Sequence, residues 1–186
     1  MKRTFDFVIC LTLLPLCVLL CLIVLPLVYV DTRASPLFVQ TRVGRDGHPF
    51  RLLKLRTMRA DTLHVASHEV GRAQITRSGR WLRRLKIDEL PQIANVLAGS
   101  MSLVGPRPCL PVQEILIAER SRRGVLALRP GITGPAQVAG VDMSTPERLV
   151  ELDAQYLGPW SLWRDLALLF ATATGKGRGD AATRIV

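Results

Sequence analysis

Aromatic side chains make up only 5% of this 186-residue chain, and it holds just four Cys, three His and 15 Asp+Glu. Each scarcity removes a class of function. The basic middle carries no stacking motif such as an RNP sequence, so nucleic acid is not the expected partner. Cys10, Cys17 and Cys21 fall inside one apolar run and Cys109 stands alone, which gives neither a disulfide framework nor a cysteine metal site. His64 and His68 stand at i, i+4 with Asp61 and Glu69 nearby, but no HExxH pattern or third His accompanies them, which argues against zinc. No internal repeat or linker divides the sequence. The shortage of acids against 25 Lys+Arg leaves a formal net charge of +10, favouring phosphorylated metabolites, acidic lipid headgroups or nucleic acid as partners.

What is present in abundance is a single apolar run. Phe7 to Val30 are 24 consecutive uncharged residues, roughly 36 Å as a helix at about 1.5 Å per residue. The run exceeds a signal-peptide core, and Asp31 to Ser35 offer no small-residue cleavage site, so it is expected to be retained. Lys2 and Arg3 precede it, while Arg33, Arg42, Arg45, Arg51, Lys54, Arg56 and Arg59 follow, so both flanks are basic. Pro15 and Pro26 each remove a backbone donor, and either could break the helix. A re-entrant hairpin with both ends cytoplasmic is therefore expected, with a simple span as the alternative. Near the other end, Leu162, Leu166, Leu169 and Phe170 share a helical face beside Trp160 and Trp163. That pattern fits an interfacial helix or an ordinary core-facing one.

Between these segments, Phe38 to Met58 reads as two extended runs around the turn signal Asp46-Gly47. Lys54 and Arg56 would then project from one strand face, a solvated basic face or a pair suited to a diphosphate. Leu90, Ile93, Ala94 and Leu97 keep helical spacing, Pro91 belongs to a first turn and Gly99 is a stop. Asp88 and Glu89 are thereby expected at a helix N-terminus, directly after Arg83, Arg84 and Lys86. Arg129 to Gly134, RPGITG, is a loop carrying a cation, Pro146 to Leu157 resumes a helical pattern, and the tail GKGRGDAATRIV reads as flexible.

An acid pair at a helix start is often no more than a charge preference. In this cationic setting it can do more. An ionised, oriented aspartate can attack phosphorus and form an acyl phosphate, provided arginines and a divalent metal offset the substrate's charge. Arg83, Arg107 and Arg129 are the candidate clamps. Adjacent helical side chains point about 100° apart, so one acid could be the nucleophile while its neighbour holds metal or a proton.

Four blocks in order, FVQTRVGRDGHPFRLLKLRTM, ITRSGRWLRRLKIDELPQIANVLAGSMSLVGPRP, LRPGITGPAQV and ELDAQYLGPWSLWRDLALL, closely resemble the bacterial sugar transferases, the monotopic phosphoglycosyl transferases. The resemblance runs from about Lys2 to Ala173. It implies a membrane-associated α+β fold: an N-terminal membrane helix (1–33), re-entrant or spanning, then a short β-hairpin and interfacial helices around a compact catalytic domain (34–174), then the tail (175–186). It also implies transfer of a sugar 1-phosphate from a UDP-sugar to polyprenyl (undecaprenyl) phosphate at the cytoplasmic face of the bacterial inner membrane, with release of UMP. Asp88 would form the covalent phosphosugar intermediate, with Glu89 as the partner on the side of Mg2+. By motif, Lys54, Arg56, Arg83, Arg107 and Arg129 would line the phosphate site, and Pro106, Pro108 and Gln137 the donor. Membrane lipids and downstream glycosyltransferases are the further partners implied.

The chain departs from the family pattern twice. Val138 is followed by Ala139, Gly140, Val141 and Asp142 where members often continue Asn-Gly-Arg, and the helix offers Leu14-Pro15 and Leu25-Pro26 in place of a Ser-Pro pair. The competing readings are a membrane-anchored basic module without catalysis and a structural subunit of a membrane complex. The first leaves the phosphate-repelling acid pair without a purpose, and the second predicts that Asp88→Asn is silent.

Overall fold

The computed structural model of the chain describes residues 1–59 and 74–176. The His64 and His68 pair, with Asp61 and Glu69, and the tail from residue 177 lie outside the described residues. The apolar run forms most of α1, Lys2–Thr32, about 46 Å long at about 1.5 Å per residue. Helical structure continues through both Pro15 and Pro26, so neither proline ends the helix as the sequence led us to expect.

One stripe of α1 is buried along its whole length: Asp6, Cys10, Cys17, Val24, Val28 and Thr32. These positions recur at steps of four and seven, the seam of a helix lying against a partner surface. The remaining faces expose Phe7, Leu11, Leu19, Leu22, Ile23 and Val30.

Two strands follow, β1 (Leu37–Val43) and β2 (Pro49–Leu55). They pair antiparallel, with Leu37 opposite Leu55 and Val43 opposite Pro49. The turn falls where Asp46-Gly47 placed it, with both residues at positive φ, 55° and 80°. Met58 and Ile75 form an isolated antiparallel bridge. Then come α2 (Arg77–Arg84), a 3-10 turn (Ile87–Glu89) and α3 (Gln92–Ala98), which stops at Gly99 with φ 89°. The acid pair thus precedes α3 in a turn of its own. Pro91 has no N–H to give, which divides the turn from the helix.

The short β3 (Ser102–Val104) and β4 (Gly131–Thr133) pair in parallel. Between and after them lie α4 (Glu114–Arg122), α5 (Pro135–Val138), α6 (Pro146–Ala154) and α7 (Leu162–Ala173). Helix α6 is shorter than its sequence pattern, since Pro146 to Leu157 yields a helix only to Ala154.

Burial produces three apolar clusters. Cys10 and Cys17 of α1 join Ile93, Val96, Met101, Val104 and Tyr156 in one. Val24 and Val28 join Leu55 and Leu82 in another. The third holds Val43, Cys109, Leu116, Val125, Leu149 and Val150. Both halves of α1 therefore pack on the same body.

Polar contacts fix the two ends. Lys2 donates to Asp165 at 2.6 Å and to Asp6 at 2.9 Å. Asp165, 0% exposed, also accepts from the Trp160 indole at 3.0 Å and from the Tyr156 hydroxyl. Asp6 accepts from Ser102 Oγ at 2.8 Å. At the far end, Asp31 accepts from the Ser78 N–H at 2.9 Å. Helix α7 combines both faces its sequence allowed: Leu168 and Leu169 pack on the core, while Trp163 and Phe170 are exposed.

Candidate functional site

Four segments converge on one cleft, and each is placed by a local cause. Asn95 of α3 grips β2 from both sides, accepting from Leu53 N at 3.0 Å and donating to Arg51 O at 2.8 Å. That fixes the acid turn beside the end of β2. Lys86 takes φ 57°, in the left-handed region, and so reverses the chain between α2 and the acids. On the opposite wall, the segments Val104–Pro108 and Arg129–Gly134 interlock through glycine. A Cβ on Gly105 would meet Arg129 O at 2.2 Å, and one on Gly131 would meet Gly105 N at 2.1 Å. Backbone bonds Gly105 N to Thr133 O (2.8 Å) and Gly131 N to Pro106 O (2.9 Å) close the seam.

The resulting cleft is shallow and partly open to solvent. Its charged lining comes from Lys54, Glu89, Arg42 and Arg107, and its neutral lining includes Gln92 and Gln137. Glu89 Oε1 lies 3.1 Å from Lys54 Nζ and 3.7 Å from Arg107 Nη1, so one carboxylate oxygen faces two cations. All three side chains are partly buried, which screens the attraction less than on an open surface. Asp88, at 7% exposure, is buried one residue earlier in the same turn. Gln137 donates to Ile132 O at 2.8 Å, which fixes which way its amide points.

The residues singled out from sequence divide accordingly. Lys54, Glu89, Arg107, Pro108 and Gln137 line the cleft. Arg56 lies one residue beyond β2 and does not share the Lys54 environment: its Nε donates to Ser35 O at 2.7 Å, and its guanidinium stands 5.5 Å from the Phe38 ring. Arg83 donates to Thr57 Oγ1 at 2.8 Å. Arg129 turns to Gly99 O at 3.1 Å, so its loop reaches the cleft through the backbone of Gly131 and the side chain of Ile132. Pro106 is buried, its carbonyl spent on Gly131.

Two polar lining residues went unmarked in the sequence. Arg42, which donates to Pro108 O at 3.2 Å and Gln40 Oε1 at 2.6 Å, reads in the sequence only as part of a basic flank. The signal was its period-two position on β1. Gln92 sits directly after Pro91, where a polar residue opening a helix gives no hint of burial.

Farther out, Arg120 and Asp153 form a buried pair, Nη2 to Oδ2 at 3.0 Å, in the third apolar cluster. Burial holds the Asp153 carboxyl above its ordinary range, with the facing Arg120 opposing the shift. Tyr156 is likewise pushed up, by burial and by its bond to Asp165.

Among the described residues no group of three or more His, Cys, Asp or Glu could hold a metal ion. The acid turn alone is a poor cage. It does suit Mg2+, which keeps several waters and is held by one or two carboxylates together with a substrate's phosphates.

Fold and cleft together define a class: a compact α+β body carrying a long apolar helix, with an acid turn facing cations across a solvent-open cleft. The chain belongs to the bacterial sugar transferase family, whose model matches residues 1–177. It is similar to the UDP-glucose:undecaprenyl-phosphate glucose-1-phosphate transferase of Caulobacter vibrioides, 41% identical over 180 residues, covering 92% of this chain and 67% of the relative. It is also similar to the undecaprenyl-phosphate glucose phosphotransferase of Komagataeibacter xylinus, 42% identical over 92% of this chain and 35% of the relative. A sugar transferase of Bacillus subtilis (strain 168) is 38% identical and is covered over 85% of its length. The chain thus spans about a third of one of these relatives and most of another.

Proposed function

We propose that the chain transfers a sugar 1-phosphate from a UDP-sugar to undecaprenyl phosphate or a similar polyprenyl phosphate. The products are polyprenyl diphosphate sugar and UMP, as the first step of assembling an exopolysaccharide, capsule, O-antigen or glycoprotein glycan. Family membership and the relatives' names, which pair UDP-glucose with undecaprenyl phosphate, support the reaction. The observation that carries it is Glu89 facing Lys54 and Arg107 at the cleft beside the buried Asp88.

In this reading the Asp88 carboxylate attacks the phosphorus bonded to the sugar. A phosphorus–oxygen bond of the diphosphate breaks, UMP departs with that bond's electron pair, and an aspartyl phosphosugar remains. An oxygen of the polyprenyl phosphate then attacks the same phosphorus and restores the carboxylate. Lys54, Arg42 and Arg107 hold the phosphoryl oxygens and offset the charge that develops on them. Arg56 and Arg83 are engaged elsewhere, with Ser35 and Thr57, and Arg129 supports the site through the loop it anchors. Pro108 and Gln137 shape the donor side, with Pro106 fixing the backbone behind them. Glu89 is the residue to hold Mg2+, which when bound supplies charge neutralisation at the diphosphate.

The same reading places the protein on the cytoplasmic face of the bacterial inner membrane. Both ends of α1 are tied to one body, at Asp165 and at Ser78. A helix crossing the bilayer would carry one end away from that body. A monotopic placement, with the exposed apolar faces of α1 and α7 in one leaflet, keeps both basic flanks on one side.

The test is detergent-solubilised protein incubated with Mg2+, undecaprenyl phosphate and a panel of UDP-sugars, with UMP measured. Release by wild type that disappears in Asp88→Asn supports the reaction. No release with any donor sinks it. A phosphosugar adduct trapped on Asp88 before the acceptor is added tests the covalent step.

A further inference from the structure

Arg107 carries the guanidinium that faces Glu89, and the question is what holds it there. Its own backbone carbonyl accepts from Arg120 Nη1 at 2.8 Å, while Nη2 of the same guanidinium binds Asp153 at 3.0 Å. Arg120 is 3% exposed and Asp153 1%. Neither touches the cleft, and neither belongs to the acid turn or the basic blocks. A fork that satisfies one carboxylate and one carbonyl at once is what arginine geometry offers and lysine does not.

We propose that the buried Arg120–Asp153 pair is a positioning device for the cleft, bracing the Arg107 backbone from α4 and α6 so that its guanidinium is presented toward Glu89. Neighbouring carbonyls in the segment are pinned from other directions: Pro106 O by Gly131 N at 2.9 Å, Pro108 O by Arg42 at 3.2 Å, and Cys109 O by Val43 N at 2.9 Å. Arg120 supplies the missing brace at Arg107, and it does so from the third apolar cluster. The pair would thereby transmit the packing of α4 against α6 to the phosphate-binding side of the cleft. A purely structural ion pair in this place would gain little, because desolvation offsets most of the attraction between buried charges.

The inference rests on the nucleotide-sugar reading, so its test separates the two. The full-length protein in detergent is titrated with UDP and, separately, with inorganic pyrophosphate, each with Mg2+. The variants are Arg120→Lys, which keeps the charge but not the fork, and the apolar replacement Arg120→Met with Asp153→Leu. Each variant's thermal midpoint is recorded alongside. A misdirected Arg107 guanidinium loses one charge-assisted contact to the diphosphate, which corresponds to about tenfold in affinity. Both variants are expected to bind either diphosphate about tenfold more weakly with the midpoint kept near wild type. Affinity within twofold of wild type in a folded variant overturns the proposal. If the double variant does not fold, Arg120→Lys decides. Wild type that binds pyrophosphate but not UDP overturns the nucleotide reading, and the pair is then judged on pyrophosphate. Wild type that binds neither overturns both.

Discussion

Replacing Gly131 with alanine tests whether glycine contact between two loops builds the cleft. An added Cβ would lie 2.1 Å from Gly105 N, 2.5 Å from Thr133 O and 2.7 Å from Gly105 Cα, all of them backbone atoms. No side chain can rotate away, so the Gly105 and Gly131 backbones must part by about 1.4 Å to restore ordinary contact near 3.5 Å. Beside the β3–β4 ladder, the seam is crossed by bonds from Gly131 N to Pro106 O (2.9 Å), Gly105 N to Thr133 O (2.8 Å) and Ser102 N to Pro130 O (2.9 Å). Two of them lost at about 1 kcal/mol each, with about 1–3 kcal/mol of overpacking, give about 3–5 kcal/mol. For a chain of this size that is a fall of about 10 °C in thermal midpoint. The control is Gly140→Ala, where φ is 72° and nothing lies within 4 Å of the new carbon, so backbone strain of about 1 kcal/mol is the whole cost. Thermal unfolding of both variants in detergent, followed by UMP release, reads the difference. A Gly131→Ala loss no larger than that of Gly140→Ala would refute the interlocked-loop account.

Asp165→Ala leaves the Lys2 ammonium, the Trp160 N–H and the Tyr156 hydroxyl without their shared acceptor, and should cost about 3 kcal/mol and expose the start of α1 to protease. Unchanged cleavage near residue 2 would count against this latch. Lys54→Met removes the 3.1 Å partner of a partly exposed Glu89; stability should change by under about 1 kcal/mol while turnover falls about a hundredfold, so equal losses of both would argue for a merely structural lysine. Asp153 titrates above its ordinary 3.8 in the fold because it is buried, with Arg120 opposing. The folded chain therefore takes up that proton before the unfolded chain does, and this contribution to stability grows as pH falls from the raised value toward 3.8. Asp153→Asn should thus lose stability more steeply on acidification than wild type in denaturation series, and parallel slopes would contradict it.

Periodicity and punctuation were enough for the local elements. The hairpin at Asp46-Gly47 and the end of α3 at Gly99 follow from short-range rules that a single segment obeys by itself, whereas the break those rules allow at Pro15 or Pro26 is absent from α1. The family was legible too, because its long blocks stand in order along the chain. What lay beyond reach was the direction in which a cation points. Lys54 and Arg56 share a period-two pattern, yet one faces Glu89 and the other folds back on Ser35. Arg129 reads as a clamp, but its guanidinium goes to the Gly99 carbonyl.

The sequence by itself determined that the chain has one long apolar run, an acid pair in cationic surroundings and glycines where loops must bend. These depend on composition and on neighbours within a turn or two. Tertiary structure alone decided that α1 lies along the body instead of leaving it, since its buried stripe exists only because α2, α3 and α7 offer surfaces to it. It also decided that Arg42 and Gln92 enter the cleft and that Arg120 and Asp153 stand behind Arg107. Contacts between residues 13 and 33 positions apart in sequence, such as Arg120 with the Arg107 carbonyl and Arg120 with Asp153, are set by which helices pack together. No spacing rule along the chain encodes them.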